Sequence, residues 1–167
     1  MKIRINNLYV KNLNLIFLEL LVIVLVTACG LMSDLHEVRM YYEKNNKEGV
    51  AKFLNNSDPN VREEAVNFLA EMKECSARLY KAEVDESYRV RGILAKGLKK
   101  CNDEESMRIL SRLLHDSSSY VRKNAVESII QNDYCRKDCL LAVRRLFDDE
   151  DSYVKLSAAK MLYKRFP

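Results

Sequence analysis

The sequence predicts an all-α protein, and three observations lead to this prediction. Gly and Pro together account for only six of the 167 residues, far fewer turn formers than a β-rich chain needs. Apolar residues recur at helical spacing along most of the chain. One short motif also occurs four times, at intervals of 29, 31 and 33 residues. We therefore expect repeated helical units.

Residues 1–28 have the features of an export signal. Three basic residues precede an apolar run from Leu15 to Val26 that only Glu19 interrupts. Twelve helical residues reach about 18 Å, which is short of a hydrocarbon core of about 30 Å. The run therefore predicts a cleaved signal peptide and not a permanent membrane span.

The apolar run ends in Val26-Thr27-Ala28-Cys29, which resembles the lipobox of bacterial lipoproteins. The resemblance implies that a diacylglycerol is attached to Cys29 and that cleavage follows Ala28. Because Gly30 is not the aspartate that favours inner-membrane retention in some bacteria, the outer membrane is the preferred location within the cell envelope, facing the periplasm or the exterior. Residues 29–33 would form a short tether, so a partner is expected near the membrane.

Charge and export together argue against nucleic-acid binding. Removal of residues 1–28 takes away three basic residues and one acidic residue, which leaves a formal charge of +2. Proteins that bind nucleic acids are usually strongly basic. Export would also separate the protein from cellular DNA and RNA.

The rest of the chain, residues 34–167, contains the repeated motif. Its marker residues are Val61, Val90, Val121 and Val154. Apolar residues at i, i+3 and i+4 on both sides of each marker predict two helices per unit, A and then B. The predicted repeats are 47–73, 75–101, 103–132 and 136–165, and a capping helix that begins at Asp34 precedes them. Neither helix of a unit can bury its apolar stripe alone, so the units must stack.

The segment from Asp58 to Leu69, with Asp58-Pro59 before Val61-Arg62, resembles HEAT repeats in the short form also called HEAT-like or phycobilisome-lyase repeats. The resemblance implies a right-handed α-solenoid of about four helix pairs with an N-terminal capping helix, whose B helices line a concave face. Independently of it, Asp58 as N-cap and Pro59 at the first helical position predict where the first B helix begins.

The resemblance also implies that the basic residue after each marker valine ties neighbouring units together through acidic residues at the turns. That role falls on Arg62, Arg91 and Arg122, with Lys155 as a weaker substitute. The clearest acidic partners are Asp58 and Asp151, and less clear ones are Asp85 and Asp116.

Besides Cys29 there are four cysteines, and an even number in an exported protein permits two disulfides. Cys75 opens helix A and Cys101 closes helix B of one unit, so we predict a Cys75–Cys101 bond, which leaves Cys135 with Cys139. The rival set pairs Cys101 with Cys135. Free buried thiols, a zinc site and redox chemistry remain alternatives, although neither Cys-x-x-Cys nor paired zinc-ligand spacing is present.

The sequence offers little catalytic material, and we predict a non-enzyme without metal or cofactor apart from the lipid on Cys29. His36 and His115 lie in different units and have no suitable partners. The acidic run Asp148–Asp151 is explained by a solvated turn and by negative charge at a helix N-terminus, with weak calcium binding as the alternative.

The expected function is a membrane-anchored scaffold or assembly factor that binds a protein or peptide along its concave face. Candidate binding residues on the B helices are Arg89, Lys96, Tyr120, Lys123, Tyr153 and Lys160. Tyr120 and Tyr153 occupy equivalent positions, where they serve either as interface anchors or as packing. Gly92 and Gly97 within one B helix indicate a flexible joint, the close approach of a partner, or drift.

Two other functions remain open from the sequence alone. One is a redox or enzymatic accessory protein of the envelope that uses Cys135 and Cys139. The other is a surface-exposed lipoprotein that binds host or matrix components.

Overall fold

The computed structural model describes residues 3–135 and 137–165, with the side chains of residues 16–26, 30, 32–135, 137 and 139–164. Within these ranges the secondary structure is helical and there is no strand. The all-α prediction is confirmed. The chain divides into two compact units, Met1–Glu37 and Val38–Pro167.

The first helix, α1, runs without a break from Ile3 to Glu43. The predicted helix start at Asp34, after a tether over residues 29–33, is therefore not observed. Gly30 is the single helix breaker in this stretch and costs only about 1 kcal/mol relative to Ala, which is too little to end a long helix. The apolar side chains between Ile16 and Val26 are exposed. None of the described helices combines the length and the hydrophobicity needed to cross a membrane.

The unit Val38–Pro167 consists of four helix pairs. The pairs are α2 (Lys47–Ala51) with α3 (Pro59–Glu71), α4 (Ala77–Tyr80) with α5 (Tyr88–Gly97), α6 (Glu104–Leu113) with α7 (Ser119–Ile129), and α8 (Lys137–Arg145) with α9 (Ser152–Arg165). Short 3-10 turns extend four helices, at Lys52–Asn55, Lys81–Val84, Leu98–Lys100 and Leu146–Asp148. The B helices α3, α5, α7 and α9 pack against one another in order. This is the predicted repeat solenoid.

The motif that predicted the repeats also forms their core. The four marker valines are fully buried, and so are the apolar residues eleven positions before them. Asp58 is the N-cap of α3 and accepts a hydrogen bond of 2.7 Å from the backbone N–H of Asn60, with Pro59 at the first helical position. These contacts are local, which is why the spacing predicted them.

The last residues of α1 cover the first repeat. Val38 is fully buried, and the ring of Tyr42 stacks on Phe68 with ring centroids 4.1 Å apart. The Tyr42 hydroxyl donates a hydrogen bond of 2.8 Å to Glu71. The end of α1 therefore acts as the cap that an exposed first repeat needs.

The two glycines of α5 lie against side chains of neighbouring repeats. A side chain at Gly92 would meet the ring of Tyr120 from the next unit, and one at Gly97 would meet Cβ of Ala70 from the preceding unit. Both glycines are buried. They allow neighbouring helices to approach closely.

We expect Gly92→Ala to lower the free energy of unfolding by about 1–2 kcal/mol, because the added methyl group displaces the Tyr120 ring. In a Tyr120→Ala background the same change should raise the free energy of unfolding by about 1 kcal/mol, since only the helix propensity gain remains. Urea unfolding of the four proteins measures this cycle. An equal effect of Gly92→Ala in both backgrounds would contradict it.

Candidate functional site

A series of two-pronged ion pairs, the arginine ladder, joins the loops of successive repeats. Arg62, Arg91 and Arg122 each donate from Nε and Nη2 to both carboxylate oxygens of an aspartate in the next unit, at 2.7–2.9 Å. Their partners are Asp85, Asp116 and Asp149. Bidentate geometry makes these the strongest type of ion pair in proteins.

Each ladder arginine is also anchored to its own loop. Nη1 of Arg122, for example, donates to the backbone carbonyls of Asp116 and Ser117 at 2.9 and 3.1 Å, and Arg62 and Arg91 make the equivalent bonds. Asp149 accepts a further bond of 2.9 Å from the N–H of Asp151. The buried charges are thus paired and fully hydrogen-bonded, as their burial requires.

The ladder corrects two sequence expectations. Asp58 and Asp151 do not receive the arginines, because their carboxylates bind the first N–H groups of α3 and α9. The aspartates that pair with the ladder arginines lie five residues before the marker valine of their own unit. Asp58 and Asp151 lie only three residues before it. Lys155 is exposed and belongs to no salt bridge between described residues, so it does not take the role that the resemblance assigned to it.

Asp149 is the ladder residue that sequence reasoning missed. It lies inside the acidic run Asp148–Asp151, where Glu150 also contacts Arg122 at 3.2 Å. Asp149 lies five residues before its marker valine, as do Asp85 and Asp116. This shared position in the repeat could have identified Asp149 from the sequence. The ladder accounts for Asp149 and Glu150 without a bound cation.

The ladder predicts how stability depends on pH. Hydrogen bonds from Arg122 hold the pKa of Asp149 below its ordinary value. Burial by itself raises the pKa of Asp85 and of Asp116. The hydrogen bonds that these carboxylates accept from Arg62, from Arg91 and from the backbone lower the pKa by a larger amount, so both pKa values lie below the ordinary value. In the folded protein these three pKa values lie below about 3.9, the value for an aspartate in the unfolded chain. The ionised carboxylates therefore stabilise the fold in full above about pH 3.9, and this stabilisation is lost as the pH falls through the lower pKa values of the folded protein.

We therefore expect the free energy of unfolding to be nearly constant from pH 7 to about pH 5 and to fall steeply below about pH 4. Urea unfolding at a series of pH values measures this. Asp149→Asn should lose less stability than the parent chain over the acid range, since it lacks one of these carboxylates. An identical pH profile for Asp149→Asn would contradict the assignment.

The remaining cysteines form two disulfides. Cys75 is bonded to Cys101 and Cys135 to Cys139, with Cα–Cα distances of 5.6 and 5.3 Å. This is the pairing that the repeat positions favoured. Asp103 lies near the first pair, but both sulfurs there are bonded to each other and are not thiolate ligands.

The candidate binding residues on the B helices fall into distinct environments. Arg89 pairs with Glu63 at 3.0 Å, and Lys123 pairs with Glu127 at 3.7 Å. Lys96 and Lys160 are exposed. The structure thus brings these residues onto successive B helices, although not as one continuous cluster of free cations.

The equivalent tyrosines differ in their role. Tyr120 packs over Gly92 and makes an edge contact with Tyr88, with ring centroids 6.1 Å apart. Tyr153 is 70% exposed. The difference follows from the residue two positions after the preceding marker valine, which is Gly92 before Tyr120 but Lys123 before Tyr153. Tyr120 therefore packs against the preceding unit while 41% of it stays exposed, and Tyr153 is exposed to a greater extent.

One buried polar group on this layer has no partner. Asn124 of α7 is 8% exposed, and its Nδ2 atom makes no hydrogen bond with any described residue. At the next junction, Ser157 of α9 occupies the equivalent position and donates to Glu127 at 3.2 Å. Sequence reasoning missed Asn124. The sequence feature that could have identified Asn124 is a polar side chain three residues after the marker valine, on the side of the B helix that packs against a neighbouring unit.

The A helices α6 and α8 border an open groove of about 790 Å³. Met107, His115, Tyr134 and Cys139 lie along it, so the second disulfide faces this groove. His36 lies on α1, far along the sequence from these groups, and is exposed. Ser111 also lines the groove, and its hydroxyl donates a hydrogen bond of 2.9 Å to the backbone carbonyl of Met107.

The predicted lipidation site, Cys29, lies within α1, but its side chain is outside the described residues.

The fold is similar to that of a solved repeat protein. A designed armadillo repeat protein in complex with the peptide (KR)4 aligns with a TM-score of 0.57 and 21% identity, over 78% of this chain and 68% of that chain. An engineered protein solved by a structural genomics consortium aligns with a TM-score of 0.48 and 19% identity, over 77% and 65%. No curated protein matches. A family model described as HEAT repeats matches residues 76–162, more than half of the sequence. The chain therefore belongs to the HEAT-repeat family.

Proposed function

We propose that this HEAT-repeat protein is a lipid-anchored scaffold of the bacterial cell envelope that binds a protein or peptide along its B-helix surface. The observation that carries the proposal is the arginine ladder, which holds successive B helices in one arrangement. A preformed surface loses little conformational entropy when a partner binds. The designed armadillo protein of similar fold is a complex with a peptide, which supports this mode of recognition.

The anchoring part of the proposal rests on the segment Val26-Thr27-Ala28-Cys29, directly after an apolar run. Lipid on Cys29 would hold the protein at a membrane, with the outer membrane preferred because Gly30 follows the cysteine. Incorporation of labelled palmitate should be lost in Cys29→Ser and retained in Cys135→Ser/Cys139→Ser. Equal labelling of these variants would contradict the anchor. Protease treatment of intact cells then tells a periplasmic scaffold from a surface-exposed host or matrix binder.

The binding part is tested by site-specific photo-crosslinking in cells. A photoreactive residue at Tyr153, which is 70% exposed on the B layer, should give a discrete crosslinked species. The matched control is Tyr134, an exposed tyrosine beside the groove of the A helices. A crosslink from Tyr134 but not from Tyr153, or from neither position, would overturn the proposal.

A second candidate is a cysteine-dependent accessory of the envelope. The specific observation is that Cys139, bonded to Cys135, lines the groove between α6 and α8, where a substrate thiol would approach. Both cysteines are more than nine-tenths buried, which favours a structural bond over exchange. Rapid reduction of Cys135–Cys139 by a small thiol, with Cys75–Cys101 intact, would favour this candidate. Slow reduction of both bonds supports the non-catalytic scaffold.

A further inference from the structure

One side of each repeat packs against the next repeat, and contacts between units identify the B-helix positions on that side. The ladder arginine, one position after the marker valine, binds the next unit. Gly92, at position two, lies against Tyr120 of the next unit. Ile130, at position nine, borders a small cavity with Met161 of the next unit. Positions one, two, five and nine share one side of an α-helix.

The A helices face the next repeat with positions thirteen and seven before the marker valine. Glu48, at the first of these positions, binds Arg78 of the next unit at 2.6 Å. Leu54, at the second, borders a cavity with Arg78 and Lys81 of that unit. In the last repeat the corresponding positions of both helices form a surface that we call the end face, which consists of Leu141, Phe147, Lys155, Leu156, Ala159 and Tyr163.

The end face is mainly apolar, and it is exposed within the described part of the chain. At position nine, Ile130 of the third repeat is 6% exposed, whereas Tyr163 of the last repeat is 77% exposed. At position five, Val126 is buried, whereas Ala159 is exposed. The other large apolar side chains of the end face are 41–49% exposed. Exposed apolar side chains that lie together mark sites of interaction.

Cations accompany the apolar side chains of the end face. Arg144 and Arg145 border an open groove of about 500 Å³ on this surface. Lys155 takes the ladder position, and Lys160 lies on the same side of α9. All four are exposed, and none forms an ion pair with a described residue. Among the described residues one carboxylate borders the groove, that of Asp148. The end face therefore favours an acidic partner.

We propose that the end face binds an acidic amphipathic α-helix of a partner protein, which packs on the last repeat as the helices of each unit pack on the preceding unit. The apolar stripe of this helix covers Phe147, Leu156 and Tyr163. A carboxylate beside the stripe reaches Lys155, as Asp149 reaches Arg122 one unit earlier. This docking site lies at the end of the array and does not depend on the binding of a partner along the B-helix surface.

A second copy of the chain fits the end face less well than an acidic helix. The other end of the array is covered by the last residues of α1, where Val38 is fully buried and Tyr42 stacks on Phe68. Head-to-tail stacking of two copies is therefore blocked. Two copies that meet end face to end face bring their cations together, which is unfavourable.

The test is fluorescence anisotropy of the full chain in phosphatidylcholine nanodiscs, with three labelled peptides as probes and empty nanodiscs as background. The acidic peptide is three copies of the heptad Leu-Glu-Glu-Leu-Ala-Gln-Gln, in which the leucines form one stripe. The second peptide has lysine in place of glutamate. The third has the composition of the acidic peptide in an order that disperses the leucines. We expect the acidic amphipathic peptide to bind at least about tenfold more tightly than the other two.

An apolar-to-acidic substitution locates the bound peptide. Leu156→Asp should weaken binding of the acidic peptide by about tenfold or more, because it places a carboxylate against the apolar stripe. Val84→Asp makes the same kind of change at an exposed apolar residue of the second repeat and should alter binding by less than about twofold. Urea midpoints of both variants show whether the fold is retained.

A pair of charge-removing variants tests the cations without touching the apolar side chains. Lys155→Gln/Lys160→Gln should weaken binding of the acidic peptide by about three- to tenfold. Lys99→Gln/Lys100→Gln removes the same charge from exposed positions of the second repeat and should change binding by less than about twofold.

Three outcomes would overturn the proposal. Equal binding of the three peptides would show that the chain does not select an acidic amphipathic helix. Equal effects of Leu156→Asp and Val84→Asp would place the binding site elsewhere. A photoreactive residue at Tyr163 should crosslink to the acidic peptide. Crosslinking instead to a second copy of the chain, or to lipid in phosphatidylglycerol nanodiscs, would assign the end face to that occupant.

Discussion

Arg122→Met is expected to lower the free energy of unfolding by about 3–5 kcal/mol. Arg122 is 7% exposed and its partner Asp149 is also buried, so the substitution leaves an uncompensated carboxylate and two unpaired loop carbonyls. Urea unfolding followed by circular dichroism at 222 nm measures the change. Because the ladder bonds join two units, unfolding of the variant should also become less cooperative.

The matched control is Lys155→Met, which makes the same kind of change at the equivalent position of the last repeat. Lys155 is exposed, so we expect a change of no more than about 0.5 kcal/mol. Arg122→Met/Asp149→Leu should recover much of the loss, since it removes the unpaired charge as well. Similar effects of Arg122→Met and Lys155→Met would show that the ladder contributes little.

Removal of the Cys75–Cys101 bond by Cys75→Ser/Cys101→Ser is expected to cost about 3–4 kcal/mol. The bond joins residues 26 positions apart, so its loss releases a long loop in the unfolded chain. It also joins the segment before α4 to the end of the turn after α5, the two ends of one helix pair. Urea unfolding under non-oxidising conditions measures the effect.

Cys135→Ser/Cys139→Ser is the natural comparison, because the second bond spans only four positions. The chain-entropy relation then gives a smaller loss, about 2 kcal/mol. The mass of the intact protein before and after reduction checks that both bonds form, since reduction of two disulfides adds four hydrogens. A larger loss for the Cys135–Cys139 variant would contradict the loop-length argument.

The helical repeats were predictable because their signals are local. Amphipathic spacing, the N-cap at Asp58 and the spacing of the marker valines all act within a single unit. The disulfide pairing followed from the same register, since Cys75 and Cys101 fall at the two ends of one helix pair. Gly30 shows the limit of such signals, because one weak breaker did not end α1.

The contacts between units were harder to predict. Acidic residues lie both three and five positions before a marker valine, and the path of the loop decides which one reaches the neighbouring arginine. The packing of Tyr120 depends on Gly92 in another unit, and the bond from Ser157 to Glu127 joins two further units. Such pairs are separated by about a whole repeat. Their significance is visible only once the repeat-to-repeat register is known.

The ladder has a consequence for how the molecule responds to force. A two-pronged guanidinium–carboxylate pair holds its groups in one orientation, whereas contacts between apolar side chains allow sliding. Arg62, Arg91 and Arg122 therefore hold neighbouring units at a fixed angle. Bending the array requires several of these ion pairs to break together. The distances between side chains on successive B helices should therefore stay constant when the array is placed under mechanical load.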